Sequence, residues 1–102
     1  MAPAVRSVVF TTRAAVELSA AVEWYDLRRD GLGRRFLDAV EAVIPRLQHL
    51  PSAGQPILAP IRRAFVRKFP FSIFYVESSE AVVILAVFHN RRDPSGWPRP
   101  AP

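Results

Sequence analysis

Chemistry in this chain concentrates in "VFHNRRDPSGW", Val87 to Trp97, where an apolar run ends in a histidine, two adjacent arginines, an aspartate-proline turn and a tryptophan. Upstream, "IRRAFVRKF" adds Arg62, Arg63, Arg67 and Lys68, interleaved with phenylalanines. Such groups suit one reaction and one kind of recognition. Cleaving RNA through its own 2′-hydroxyl needs a base for the hydroxyl proton, cations for the charge that develops on phosphorus, and an acid for the departing 5′-oxygen. His89 offers the acid or base; Arg63, Arg67, Arg91 and Arg92 offer the cations. No metal or other cofactor is required. The same arginines, with Trp97, equally suit recognition of an anionic or protein partner, because arginine and aromatic anchors carry much of the energy of interfaces.

The charge distribution points the same way. Formal net charge is +5. Up to Pro45, six arginines face six acids. From Arg46 onward, eight basic residues stand against three acids, so the second half carries the whole excess. A basic half-domain implies an anionic partner, either nucleic acid or an acidic protein segment. Arginine outnumbers lysine thirteen to one, which favours planar, bidentate contacts to phosphate or carboxylate.

Composition excludes several classes. A chain of 102 residues, half of them hydrophobic, is enough for one domain with a core of its own. Cysteine is absent. That removes disulfides, thiolate metal sites and cysteine nucleophiles, and suits a reducing cytoplasm. The longest apolar run, Ala81 to Phe88, falls far short of the roughly 20 residues of a membrane span. The N-terminal "MAPAVRSVVFTTR" lacks a long apolar segment and a small-residue cleavage site, so no signal peptide is expected.

These groups need elements to hold them. Val5 to Thr11 reads as a short first strand, and Thr12 as a helix cap. Ala15, Leu18, Val22 and Tyr25 then recur at helical steps up to Arg29. Gly31 and Gly33 supply the turn into a second helix, about Arg34 to Leu50, with Phe36, Leu37, Val40, Val43, Ile44 and Leu47 on one face. Pro45 is expected to kink or restart that helix. "LPSAGQPILAP" reads as a loop. In "IRRAFVRKF" strand alternation puts Arg63 and Arg67 on one face with Phe65 and Phe69. "FSIFYVE" and "AVVILAVFH" make a hairpin, the latter an inner strand covered on both faces. The expected fold is α+β, in two layers: β-α-α-β-β-β, a helical hairpin on a small, mostly antiparallel sheet. Leu18, Val22, Phe36, Val40, Ile44 and Leu47 should pack on Phe74, Val83, Leu85 or their strand neighbours. Residues 1–97 form the single domain, and 98–102 a Pro-rich flexible tail.

Taken in order, "GLGRRFLDAVEAVIPRLQHLPSAGQP", "IRRAFVRKFPFSIFYV" and "VVILAVFHNRRDPSGW" resemble the RelE/ParE superfamily of toxins from bacterial type II toxin-antitoxin systems. The match rests on the Gly-Leu-Gly before Phe36-Leu37, the Pro-x-x-Gly-x-Pro from Pro51 to Pro56, "KFPFSIFY" and "FHNRRDP" together. Its pattern is closer to the ParE-like, plasmid-stabilisation branch. The resemblance implies the two-layer fold, a cognate acidic antitoxin in a hetero-oligomer, and one of two activities. RelE-like members cut messenger RNA on the ribosome; ParE-like members act on DNA gyrase. By similarity to the nucleases, Arg63 becomes the phosphate stabiliser and His89 the acid or base. Those enzymes can also carry a tyrosine near the C-terminus, and here no tyrosine follows Tyr75. The ParE-like alternative assigns Arg67, Arg91, Arg92 and Trp97 to target binding.

Plainer readings stand beside these. His89 can simply end a strand, and Asp93 can pair with Arg91 or Arg92 across a turn. The second-strand cations can be solvated charge that guards an edge against aggregation. Trp24 and Trp97 suit packing or antitoxin contact better than base stacking, and His49 a helix C-terminus. Three functions therefore remain: a toxin that inhibits a protein target, a ribosome-dependent endoribonuclease, and a non-toxic binding module. The nuclease requires His89 to converge with Arg63 or Arg67 on one phosphate position.

Overall fold

A computed structural model describes residues 5–100. The elements are β1 (Ser7–Phe10), α1 (Thr12–Arg28), α2 (Leu32–His49), a 3-10 turn at Pro51–Ala53, β2 (Gln55–Leu58), β3 (Ile61–Phe65), β4 (Phe71–Glu77), β5 (Ala81–His89) and a second 3-10 turn at Pro94–Gly96. The sheet order is β1-β5-β4-β3-β2, with β1 parallel to β5 and the other pairs antiparallel. Both helices lie on one face, giving the expected two-layer α+β arrangement with one strand more than the sequence announces. The added strand is β2. Its Pro56 has no N–H, which confines it to a sheet edge and makes its segment look like a loop.

Local chemistry explains the helix ends. Thr11, one residue earlier than expected, caps α1 by accepting the Ala14 N–H at 3.1 Å. The buried stripe of α1 runs through Ala14, Ala21 and Tyr25 rather than Ala15, which is exposed. Gly31, at φ 84°, supplies the left-handed turn between the helices. Gly33 has a different task from the one its sequence position suggests. It sits inside α2, donates its N–H to Asp26 Oδ1 at 2.8 Å, and lies so close to α1 that a Cβ would meet the Val22 carbonyl. Pro45 does not break α2, which is one helix from Leu32 to His49. Pro45 and Glu41 are exposed, so water can satisfy the Glu41 carbonyl that loses its partner. His49 Nδ1 lies 3.1 Å from the Pro45 carbonyl oxygen in the last turn.

The core has two parts, one on each face of the sheet. Tyr25, Phe36, Val40 and Leu47 meet Phe71, Ile73, Tyr75, Val82, Ile84 and Val87 on the helix side. Phe74 and Leu85, expected there, lie on the other face with Ile61, Ala86, Phe88 and Trp97; the helices meet their strand neighbours. Phe74 faces outward by plain alternation with Ile73 and Tyr75, whereas Leu85 does so because of a bulge. Phe74 pairs with Ala86 but Tyr75 with Ile84, so Leu85 has no partner in β4 and the facing of β5 shifts by one residue. Hence β5 reads as a continuous apolar run, and it is covered on both faces. Residues 98–100 carry no regular secondary structure. The remainder of the expected tail, residues 101–102, and the start of the N-terminal segment, residues 1–4, lie outside the described residues.

Candidate target-binding surface

β3 ends at Phe65, sooner than the alternating pattern implies. Lys68 takes a positive φ of 68° in the turn that follows, and Phe69 swings to the helix side, edge-on to Tyr25 at 5.1 Å and Phe36 at 5.2 Å. Arg67 therefore does not share a strand face with Arg63. It lies exposed in the β3–β4 turn, beside α2.

Arg63 is on the outer face and is fully engaged. Its Nε donates to Ser72 Oγ at 2.9 Å and its Nη2 to Asn90 Oδ1 at 3.3 Å. The fully buried Ser72 hydroxyl donates to the same Asn90 oxygen. Three rings surround the guanidinium carbon, with centroids at 4.6 Å (Phe65), 5.1 Å (Trp97) and 5.7 Å (Phe74). Desolvation by these neighbours lowers the pKa of Arg63 below the ordinary guanidinium value. The charge is thus spent on holding Asn90 and Trp97, the two ends of the C-terminal turn.

His89 points the other way. Its ring stands edge-on to Phe71 at 5.0 Å, on the helix side, and forms part of an apolar groove of about 480 Å³ with Val16, Ala20 and Trp24. Its Nδ1 accepts the Arg91 N–H at 3.0 Å, which in the neutral ring leaves the proton on Nε2. Such an imidazole shapes a turn and is a donor at its free nitrogen. The sheet lies between it and Arg63, and the two do not meet.

The turn between them presents the remaining candidates. Arg91 and Arg92 are exposed, and among the described residues neither forms an ion pair. Asp93, the partner considered for them, instead accepts the Ser95 N–H at 2.9 Å and caps the terminal 3-10 turn. The guanidinium carbon of Arg92 lies 4.9 Å from the centroid of the Phe88 ring, so its head rests on that ring at an otherwise exposed position. Arg13 of α1 donates to the Gly96 carbonyl and pairs with Glu17 at 3.4 Å, tying the segment down from the side. Trp97 closes the array, 5.2 Å from Phe74. The structure thus brings Arg63 and Trp97 together, leaves Arg91 exposed in the turn between them, places Arg92 beside the groove that also holds His89, and sets Arg67 apart. Ser72, Asn90 and Arg13, which organise the turn, carry no sequence signal, because each acts through a partner far along the chain. Among the described residues no group of three or more potential metal ligands gathers, and no helix is long and apolar enough to cross a membrane.

The same architecture occurs in known proteins. The family model described as "ParE toxin of type II toxin-antitoxin system, parDE" matches residues 8–94. Toxin ParE2 of Mycobacterium tuberculosis, in strains H37Rv and CDC 1551, is 31% identical over 80 residues, covering 78% of this chain and 76% of that protein. A chain of the chromosomal ParDE TA system from P. aeruginosa superposes with a TM-score of 0.74 over 83% of this chain and 96% of its own, at 21% identity, a likeness of fold.

Proposed function

We propose, from the premise that this chain belongs to the ParE toxin family of type II toxin-antitoxin systems, that it arrests growth by binding a protein target of the DNA gyrase kind, and not by cutting RNA. Arg91, Arg92 and Trp97 are the contact residues, and Arg63 holds them in place. The observation that carries this reading is the placement of His89 and Arg63 on opposite faces of the sheet. An RNA-cleaving centre needs acid, base and cation around one phosphate. Here the histidine is turned into an apolar groove and the arginine is boxed in by three rings. What stays exposed is a turn bearing two arginines without ion pairs among the described residues, the form of a binding anchor. An antitoxin neutralises the toxin by covering its exposed apolar and cationic surface, which includes Val16, Trp24 and Leu27 on α1.

The deciding experiment induces the chain without its antitoxin and follows growth, the DNA-damage response and messenger integrity in parallel. Growth arrest with a DNA-damage response and intact messengers is the expected result. Site-specific messenger cleavage would replace this reading with the nuclease one, and unimpaired growth with that of a non-toxic binding module.

A further inference from the structure

The apolar groove beside His89 lies where α1 passes the end of β5. β1 stops opposite Ile84, so the last residues of β5 have no strand on that side. α1 runs there instead, and at Ala20 and Ala21 it carries only methyl groups. The space they leave is the hollow of about 480 Å³, with Val16, Ala20 and Trp24 of α1 on one side and Phe71, Val87 and His89 of the sheet on the other. Its size falls within the range of small-molecule sites. From Val16 to Trp24 the helix face measures roughly 12 Å, enough for a ligand of two fused rings with a short arm. The aromatic walls are held in place. Trp24 is half-exposed, but Arg28 lies over its ring at 4.1 Å and Tyr25 meets it edge-on at 5.1 Å. Phe71 is braced by the rings of Phe36, at 4.8 Å, and His89, at 5.0 Å. Braced rings around small residues suit a flat aromatic body, through stacked or edge-on contact.

The polar groups of the groove leave donors unanswered. Glu17 is the one acid that lines it, and that carboxylate is engaged twice, by the Val87 N–H at 3.1 Å and by Arg13 at 3.4 Å. Arg92, which also lines it, forms no ion pair among the described residues. His89 accepts the Arg91 N–H at Nδ1, and its Nε2–H has no acceptor among the described residues. A cation and an N–H donor beside an apolar cleft match one carboxylate, whose two oxygens can take a charge-assisted bond from each. A phosphate fits less well. Its second charge would face Glu17, and no further arginine or lysine lines the groove to balance it.

We infer that this groove is a binding site for a small aromatic carboxylate, its rings laid between Trp24 and Phe71 and its head taken by Arg92 and the His89 Nε2–H. The site does not rest on the target assigned to the toxin. Its apolar walls supply affinity for the rings, and the two donors select the acid over a neutral or cationic molecule of the same shape.

The test titrates the full, isotope-labelled chain with naphthaleneacetate, its neutral analogue naphthaleneacetamide and the cation naphthylethylamine, and follows the two indole N–H signals. Naphthaleneacetate should bind and shift the signal of Trp24 but not that of Trp97, which packs on the other face of the sheet. It should bind at least about tenfold tighter than the amide, and the amine should not bind. Arg92→Gln should abolish the preference for the acid while leaving the amide's affinity within about twofold, because the rings keep their walls. Ala20→Trp, at an exposed position, should fill the groove and abolish binding of both. Should that variant fail to fold, Arg92→Gln decides alone. Arg35→Glu, on α2, should change nothing. Affinity for the amide or the amine equal to that for the acid, a preference that survives in Arg92→Gln, a shift at Trp97 in place of Trp24, or no binding of the acid would each overturn the inference. Sedimentation of the free chain tests the other occupant: a dimer in the parent that Ala20→Trp dissolves would show that a second copy covers the groove, and would overturn it too.

Discussion

The guanidinium carbon of Arg63 lies 5.1 Å from the centroid of the Trp97 indole, and through this contact a strand of the sheet holds the 3-10 turn at Pro94–Gly96. Trp97 covers Phe74 in return. Truncating Trp97 to alanine removes the stack and uncovers the outer core, so urea denaturation should show a loss of about 1–3 kcal/mol. Growth inhibition should fall as well, because the turn carrying Arg91 and Arg92 loses its far anchor. Arg63→Lys should lower both as well, since an ammonium cannot both lie flat between rings and reach Ser72 and Asn90.

Replacing His89 by alanine should leave growth inhibition within about twofold of the parent, whereas Arg91→Ala combined with Arg92→Ala should reduce it at least about tenfold. The His89 ring is a turn-shaping acceptor on the helix side of the sheet; Arg91 and Arg92 are exposed and, in the proposed reading, are the residues that meet a partner. A His89→Ala variant that no longer arrests growth, with messenger cleavage lost in parallel, would reverse the assignment.

The bulge at Leu85 makes neighbouring residues unequal. Ile84 is fully buried against the helices, and Leu85 is only half-buried on the outer face. Ile84→Ala should cost about 2–5 kcal/mol in chemical denaturation, and Leu85→Ala clearly less. An equal or inverted pair of losses would mean that β5 faces the other way.

Tyr75 joins the sheet to the turn after α2. Its buried hydroxyl donates to the Pro51 carbonyl and accepts the Gly54 N–H at 2.9 Å. Burial raises its pKa above 10.0, and Tyr25 is raised for the same reason. A raised folded-state pKa contributes stability that is complete below the unfolded value near pH 10 and is lost as pH climbs from there through the folded value. The melting temperature should therefore not respond to these two tyrosines up to about pH 9 and should drop above about pH 10. Tyr75→Phe should lower stability by about 1–2 kcal/mol at neutral pH, since Gly54 and Pro51 lose their partner, and should make the alkaline decline shallower.

Much of this protein follows from its order of residues alone. The helical stripes, the hairpin of "FSIFYVE" and "AVVILAVFH", the basic second half and the family resemblance all rest on local periodicity and composition, which short-range sterics and burial translate directly into elements. The two-layer fold is legible for that reason. Facing and partnership are not. The phase of β5 depends on a bulge whose only sign is an extra residue opposite β4, and β2 is a strand because β3 is there to pair with it. Arg63 and His89 look like one catalytic pair in the sequence. They are separated because β3 and β5 present them to opposite faces, and a strand's alternation gives two faces without saying which is covered by helices. That choice, together with the long-range hydrogen bonds from Arg63 and Ser72 to Asn90, is made only when the whole core closes, since it is the burial of Phe36, Tyr75 and Ile84 against one another that fixes which side of the sheet is inside.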